Sequence, residues 1–386
     1  MPSALFTPIK LRELELANRI VISPLCQFSA VDGNAQPWHR MNAMHHLASG
    51  TGLLILEATA VEDIGRITAG CLGLYSDENE VALTQLVADA RTMSNTPIGI
   101  QLSHAGRKAS SRPTWELWKG PNLTEEEGAW TPVGPTGEAY TEGWPEPKEL
   151  DAQGLARIID LYVDAARRAL RCGFDMLEIH VAHGYLLHQF LSPMSNHRTD
   201  RYGGSRENNM RFPLEVIAAV REAWPAEKPI GVRSTGRDFN EGGLELDDAV
   251  VFARELKKLD IDYVVPSAGN VAPGMKLPKI EPGYMVHFAE QIKREVDIKT
   301  MAVGLIVKPE QANQIIESGQ ADMVAIGRAF IDDPRWAWHA AVALGEENPP
   351  IPPPWQRVNP KVWPAYKMAR NEKSDLEAGM GHMRRE

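Results

Sequence analysis

The sequence predicts a single (β/α)8 TIM barrel, and three observations carry that prediction. Short apolar, β-branched-rich runs recur along the 386 residues. Segments with a 3.6-residue apolar period lie between them. Polar residues gather where the runs end, which is where such barrels keep their chemistry. The competing arrangement is an open doubly wound sheet, but no G-x-G-x-x-G follows the first run.

The runs, in order, are "RIVISPL" from Arg19, "LLILEATA" from Leu53, "IGIQLSH" from Ile98, "MLEIHVA" from Met176, "IGVRST" from Ile230, "YVVPSAG" from Tyr263, "TMAVGL" from Thr300 and "MVAIGRAF" from Met323. Each is nearly continuous in apolar character, as expected of parallel strands covered on both faces. Between them, "ENEVALTQLVADARTM" and "GLARIIDLYVDAARRALRCG" are helical in period. The second places Leu155, Ile158, Ile159, Tyr162, Ala166 and Leu170 on one face, and Gly173 suits its end. "DDAVVFARELKKL", "VHFAEQIKREV" and "PEQANQIIESG" follow the same rule, the last opening on Pro309.

Two segments fall outside the repeat. Residues 105–150, rich in Trp, Pro and Gly, form a long loop between the third strand and its helix, and such a loop suits a lid. Residues 346–386 begin as a Pro/Trp-rich extension, too rich in proline for a helix and expected to wrap the barrel or reach a neighbouring subunit. Its last 16 residues are polar and are expected to fray. The expected organisation is therefore a barrel over 1–345 and an extension with a polar tail over 346–386.

Composition narrows the function. The chain is 43% hydrophobic and 24% charged, an ordinary soluble balance. A net charge of -10 argues against a nucleic-acid partner and against anionic lipid. "MPSALFTPIK" lacks the pattern of a secretory signal, and "GLLILEATAV" is too short for a membrane span and contains Glu57. Cys26, Cys71 and Cys172 are scattered and odd in number, so a reducing cytoplasm is the expected home.

The strand ends supply the candidates. "HVAHGYLLHQFLSP" follows the fourth strand. His180 and His183 read as metal ligands, as satisfied core histidines, or as two donors converging on one anionic or carbonyl oxygen. The spacing fits neither H-E-x-x-H nor a clear strand pair, and the donor reading is favoured. Tyr185 offers a phenol that can act as general acid. Gly304 and Gly327, with Arg328 beside the latter, suit either a phosphate site or simple tight turns. Arg233 needs an anionic partner, either a heterocycle that becomes negative on reduction or a carboxylate such as Glu178 or Glu57. Gln101 offers both a donor and an acceptor. Cys26 alone reads as a small core hydrophobe, His188 as structural, and Lys108, past its strand, as lying outside the pocket.

The stretch "HVAHGYLLHQFLSPMSNHRTDRYGGSRENNMRF" resembles the signature of the Old Yellow Enzyme family of FMN-dependent ene-reductases. The likeness runs from "LFTPIKLRELELANRIVISPLCQFSA" through "GIQLSHAGRKAS" to "AVGLI" and "AIGRAFIDDP", nearly the whole barrel. The cysteine of "SPLC" resembles the thermophilic-like branch.

The resemblance implies tightly bound FMN, with NADPH or NADH as hydride donor. Ser23, Pro24, Leu25, Cys26 and Ala58 would line the flavin. Gln101 would bond its pyrimidine edge, and Arg233 would face the part of the ring that turns anionic. Gly304, Gly327 and Arg328 would hold the phosphate. Cys26 would tune the potential. His180 and His183 would grip a carbonyl or nitro oxygen, and Tyr185 would protonate the α carbon in a ping-pong reduction of an activated alkene. Nitrate esters and quinones are further substrate classes.

Two departures stand out. Phe28 occupies a position where this branch commonly has tyrosine, so a substrate contact through a hydroxyl is missing. Asn209 replaces an arginine, with a structural effect expected. The branch also implies a homodimer or homotetramer, with Arg357, Trp355 and Trp363 as candidates for reaching a partner's site.

Three rivals remain. A longer dienoyl-CoA-type reductase needs an iron–sulfur cluster that three scattered cysteines cannot supply. A Schiff-base lyase needs a lysine in the pocket. A flavin store without turnover has no use for His180, His183 and Tyr185.

Overall fold

The computed structural model describes residues 3–370. The apolar runs become β1 (Ile20–Ile22), β2 (Leu53–Ala60), β3 (Ile98–Ser103), β4 (Met176–Val181), β5 (Ile230–Arg237), β6 (Tyr263–Ala268), β7 (Lys299–Ala302) and β8 (Met323–Ile326). They close into a parallel barrel in sequence order, with β8 beside β1. Around it run α1 (Pro37–Leu47), α2 (Asp77–Arg91), α3 (Ala152–Cys172), α4 (Leu186–Leu191), α5 (Arg206–Ala223), α6 (Leu246–Lys258), α7 (Val286–Val296), α8 (Pro309–Glu317), α9 (Arg328–Asp332) and α10 (Trp336–Ala343). Helix boundaries follow local chemistry. Ser76, Asp151 and Ser205 each accept a backbone N–H of the first turn, and Gly173 ends α3 at φ 87°.

Alternation along each strand separates two cores. Residues facing outward, such as Ile22, Leu54, Ile100, Leu177, Ile179 and Val264, pack under the helices. Residues facing inward, including Val21, Leu53, Ile55, Met176, Tyr263, Val265, Met301 and Met323, fill the barrel. Gly231 is required there because a Cβ at that position would stand 1.9 Å from the Tyr263 ring. A short antiparallel hairpin, Ile9–Leu11 with Leu14–Leu16, was not expected. It delivers Ile9, Leu11 and Leu16 to the inner cluster and plugs the barrel floor.

The long segment after β3 is built of 3-10 turns at Gly106–Lys108, Thr114–Lys119 and Glu125–Glu127, plus a two-residue strand pair. After α10, a 3-10 turn at Pro353–Val358 brings Trp355 to within 5.1 Å of the Arg335 guanidinium. The same guanidinium lies 5.2 Å from the Trp338 ring, so stacking ties this part of the extension to the last helix. Arg357 is exposed and Trp363 meets Tyr366 edge-on. The tail expected to fray, 371–386, lies outside the described residues. Among the described residues no helix is long and apolar enough to cross a membrane.

Candidate active site

Strand register brings the polar residues together. Ala58 pairs with Gln101, Gln101 with Glu178, and His180 with Arg233. The β2–β3 register shifts between Leu56 and Ala58, a bulge that re-aims the end of β2 at the barrel mouth. A second irregularity falls between Ser267 and Ala268 at the end of β6.

Inside the mouth, the Gln101 amide donates to Glu178 Oε1 at 2.7 Å, and the Tyr263 hydroxyl donates to Glu178 Oε2 at 3.1 Å. Burial pushes the Glu178 carboxyl up, and the nearby Arg233 charge opposes that shift. Arg233 Nη1 donates to Ser23 Oγ at 3.2 Å. Among the described residues Arg233 forms no ion pair, and its buried Nε has no hydrogen-bond partner. The internal pair with Glu178 or Glu57 is therefore not made. Glu57 instead accepts the Gln27 backbone N–H at 2.9 Å and faces His39 Nε2 at 3.4 Å. Burial raises Glu57 to about 8 and lowers His39 to about 4.

His180 is the penultimate residue of β4, and His183 sits in the following turn at φ 59°, in the left-handed region. His180 Nδ1 accepts the Ala182 N–H at 3.2 Å, and its Nε2 meets His183 Nδ1 at 3.1 Å. His183 Nε2 meets Ser267 Oγ at 2.8 Å. Burial first, then the Arg233 charge, holds both rings well below the ordinary histidine range, so they are neutral at neutral pH. Tyr185 stands edge-on to His180 with centroids 5.0 Å apart. Desolvation keeps its phenol well above the usual range, so it retains its proton. His188 is fully buried and supports this turn, accepting the Gly184 N–H at 2.9 Å and facing Asp238 Oδ1 at 2.9 Å.

Ser23 N–H donates to Ile326 O, which joins the ends of β1 and β8. A cleft of about 620 Å³ results, lined by Ser23, Leu25, Arg233, Gly304, Gly327 and Arg328 among others. Pro24 is buried between Ser23 and Leu25. Gly304 adopts φ 113°, which a side chain rarely allows. The Cys26 thiol is pushed well up by desolvation, so it is not a thiolate. Phe28 adopts φ 48°, with its ring 5.9 Å from Trp115 of the long loop. Asn209 accepts from the Asn196 amide at 3.3 Å and lines a separate hollow of about 1090 Å³ among α4, α5 and α6. That hollow holds none of the strand-end residues singled out from the sequence.

One expectation is overturned. Lys108 is not outside the pocket. The 3-10 turn after β3 folds its side chain inward, where Nζ donates to His183 O at 2.8 Å and Asn270 O at 3.1 Å. It stands 5.4 Å from the Tyr185 ring centroid, and burial lowers it to about 7. Glu178, Tyr263 and Ser267 were also missed as site residues. The signal that finds them is the two-residue alternation with Met176 and His180 on β4, and with Val265 on β6.

The model of the NADH:flavin oxidoreductase / NADH oxidase family matches residues 4–347. The chain belongs to that family. A protein described as NADPH dehydrogenase in Geobacillus thermodenitrificans is 40% identical over 347 residues, covering 89% of this chain and 96% of that protein. A solved structure of morphinone reductase with tetrahydroNAD superposes with a TM-score of 0.72 at 28% identity, over 89% of this chain and 92% of the other. A 2-naphthoyl-CoA reductase complex superposes with a TM-score of 0.79 over 89% of this chain. At 22% identity that likeness shows the fold alone, and this chain spans about half of that one, 52%. As a member of this family the chain is an FMN-dependent oxidoreductase.

Proposed function

We propose that this enzyme uses NADPH to reduce the C=C bond of activated alkenes such as α,β-unsaturated carbonyl and nitro compounds. The observation that carries this is the convergence of His180, His183 and Tyr185 beside Arg233 and Gln101 in one barrel mouth. The residues present fit FMN. Arg233 Nε is a buried donor that the protein leaves unanswered, as a bound polar heterocycle would require. Ser23, Pro24, Leu25, Cys26 and Ala58 would line the flavin, Gln101 and Arg233 would meet its polar edge, and Gly304, Gly327 and Arg328 would take its phosphate. When bound, FMN supplies hydride acceptance from NAD(P)H and hydride donation to the alkene.

The chain's own residues do the rest. His180 and His183, neutral through burial, donate hydrogen bonds to the substrate oxygen and stabilise the negative charge that grows on it. Tyr185 holds a proton across neutral pH and delivers it to the α carbon. Protonated Cys26 would meet the flavin as a neutral, polarisable group. Phe28 and Trp115 give the entrance an apolar aromatic wall that favours flat substrates. Lys108 does not serve as a Schiff-base nucleophile, because its Nζ is held by two backbone carbonyls. The three free cysteines suit a cytoplasmic home. We further propose a homo-oligomer in which the extension carrying Trp355, Arg357 and Trp363 approaches a neighbour.

The test is enone binding to oxidised, FMN-loaded protein, followed by the flavin absorbance. His180→Ala with His183→Ala retains FMN and weakens 2-cyclohexenone binding about a hundredfold or more. Unchanged affinity in that variant removes the oxygen clamp.

A further inference from the structure

Resting on the reading that the histidine pair grips the substrate oxygen, we propose that Ser267 is the positioning residue that lets His183 change tautomer. The ligand-free pair is already bonded to itself, so it cannot bind a substrate oxygen without a change. His180 Nδ1 accepts the Ala182 N–H at 3.2 Å, so that nitrogen carries a lone pair and the proton of neutral His180 is on Nε2. That Nε2–H points at His183 Nδ1, 3.1 Å away, which must therefore accept. The proton of neutral His183 is then on Nε2 and is donated to Ser267 Oγ at 2.8 Å. The reverse chain, with His183 Nδ1–H donating to His180, would need a lone pair on both His180 nitrogens, which the neutral ring does not have.

Gripping one oxygen with both rings requires N–H on His180 Nε2 and on His183 Nδ1 together. His183 must then give up its Nε2 proton to solvent and take one at Nδ1, with no change in net charge. The exposed lone pair on Nε2 would be buried without a partner, at a cost that would oppose binding. Ser267 removes that obstacle. A hydroxyl accepts in one state and donates in the other by rotating its hydrogen, and no heavy atom has to move. With both N–H groups facing each other the internal bond is lost and the rings part to admit an oxygen.

The placement of Ser267 supports this role. It faces into the barrel at the point where β6 slips register against β5, and it is 3% exposed. Once a substrate fills the mouth, solvent has little access to substitute for its hydroxyl. From the other side, Lys108 Nζ donates to the His183 carbonyl at 2.8 Å and anchors the backbone of the turn that carries the ring.

The test is nitrogen-15 NMR of histidine-labelled, oxidised FMN holoenzyme, without ligand and then saturated with 2-cyclohexenone. Wild type is expected to carry the His183 proton on Nε2 without ligand and on Nδ1 in the complex. Ser267→Ala is expected to keep it on Nε2 and to bind the enone about tenfold more weakly, one hydrogen bond's worth. Ser267→Thr, which keeps the hydroxyl, restores both. A wild-type complex with the proton still on Nε2 overturns the proposal. So does a Ser267→Ala protein that switches tautomer and binds normally. If the alanine variant does not fold, the wild-type spectra and Ser267→Thr decide. If wild type binds no enone, the functional reading itself fails, and a ligand-free proton on His183 Nδ1 would separately overturn the tautomer assignment.

Discussion

The lower and upper halves of the barrel interior are built from the same strands by the same alternation, yet they hold opposite chemistry. Below, Met176, Met301, Met323 and Leu53 pack against the hairpin plug of Ile9, Leu11 and Leu16. Two residues further along the strands, the inward positions become Glu178 and Gln101, then His180 and Arg233. The lower half gains from burial. The upper half spends that gain by desolvating groups that would be more stable in water, which is visible in the raised carboxyl of Glu178 and the lowered histidines. The difference teaches that the floor exists to hold the mouth in an arrangement that would not be stable alone.

Substitutions in the two halves should therefore separate cleanly. The largest effect expected is on the upper half. Tyr185→Phe slows the alkene half-reaction by about a hundredfold or more in stopped-flow measurements, with flavin reduction by NADPH nearly unchanged. Equal loss in both halves of the cycle would contradict its role as proton donor. Next comes the lower half. Met301→Ala costs about 2–5 kcal/mol in denaturant unfolding of the holoenzyme while leaving enone affinity at the wild-type value. A change in affinity as large as the change in stability would show that the two halves are not separable.

The third prediction uses pH. The Glu57 carboxyl has a folded value of about 8 against an ordinary value of 4.5. A raised value means that the folded chain binds a proton the unfolded chain has released. The stability this group contributes is complete below 4.5 and is lost as pH rises toward 8. Wild-type stability relative to Glu57→Gln should fall by about 1 kcal/mol per pH unit across that window. A constant difference would place Glu57 in water. The smallest effect is expected at the lip. Phe28→Tyr should change enone affinity by less than about tenfold and stability hardly at all, since it offers one exposed hydroxyl.

The sequence is legible where a pattern repeats and obscure where a single dihedral decides. All eight barrel strands can be read from their apolar runs, because burial on both faces leaves a continuous signal. Gly173 and Pro309 mark helix ends as expected. The three-residue strands of the floor plug are too short to show a period. Lys108 is misplaced by sequence reasoning because a single 3-10 turn, with Gly106 at φ 59°, reverses its direction. Arg233 is legible as a charge in need of an anion, but its partner is not, since the register that gives Glu178 to Gln101 and Tyr263 is a property of the closed barrel. The bond between His180 and His183 depends on the left-handed backbone of His183, which no residue type announces.

The most direct test of the account is an anaerobic absorbance titration of the purified protein, first with NADPH and then with 2-cyclohexenone. The expected result is a yellow protein that bleaches with NADPH and regains its colour when the enone is added. A protein that bleaches but stays colourless with the enone would contradict alkene reduction by the His180, His183 and Tyr185 site.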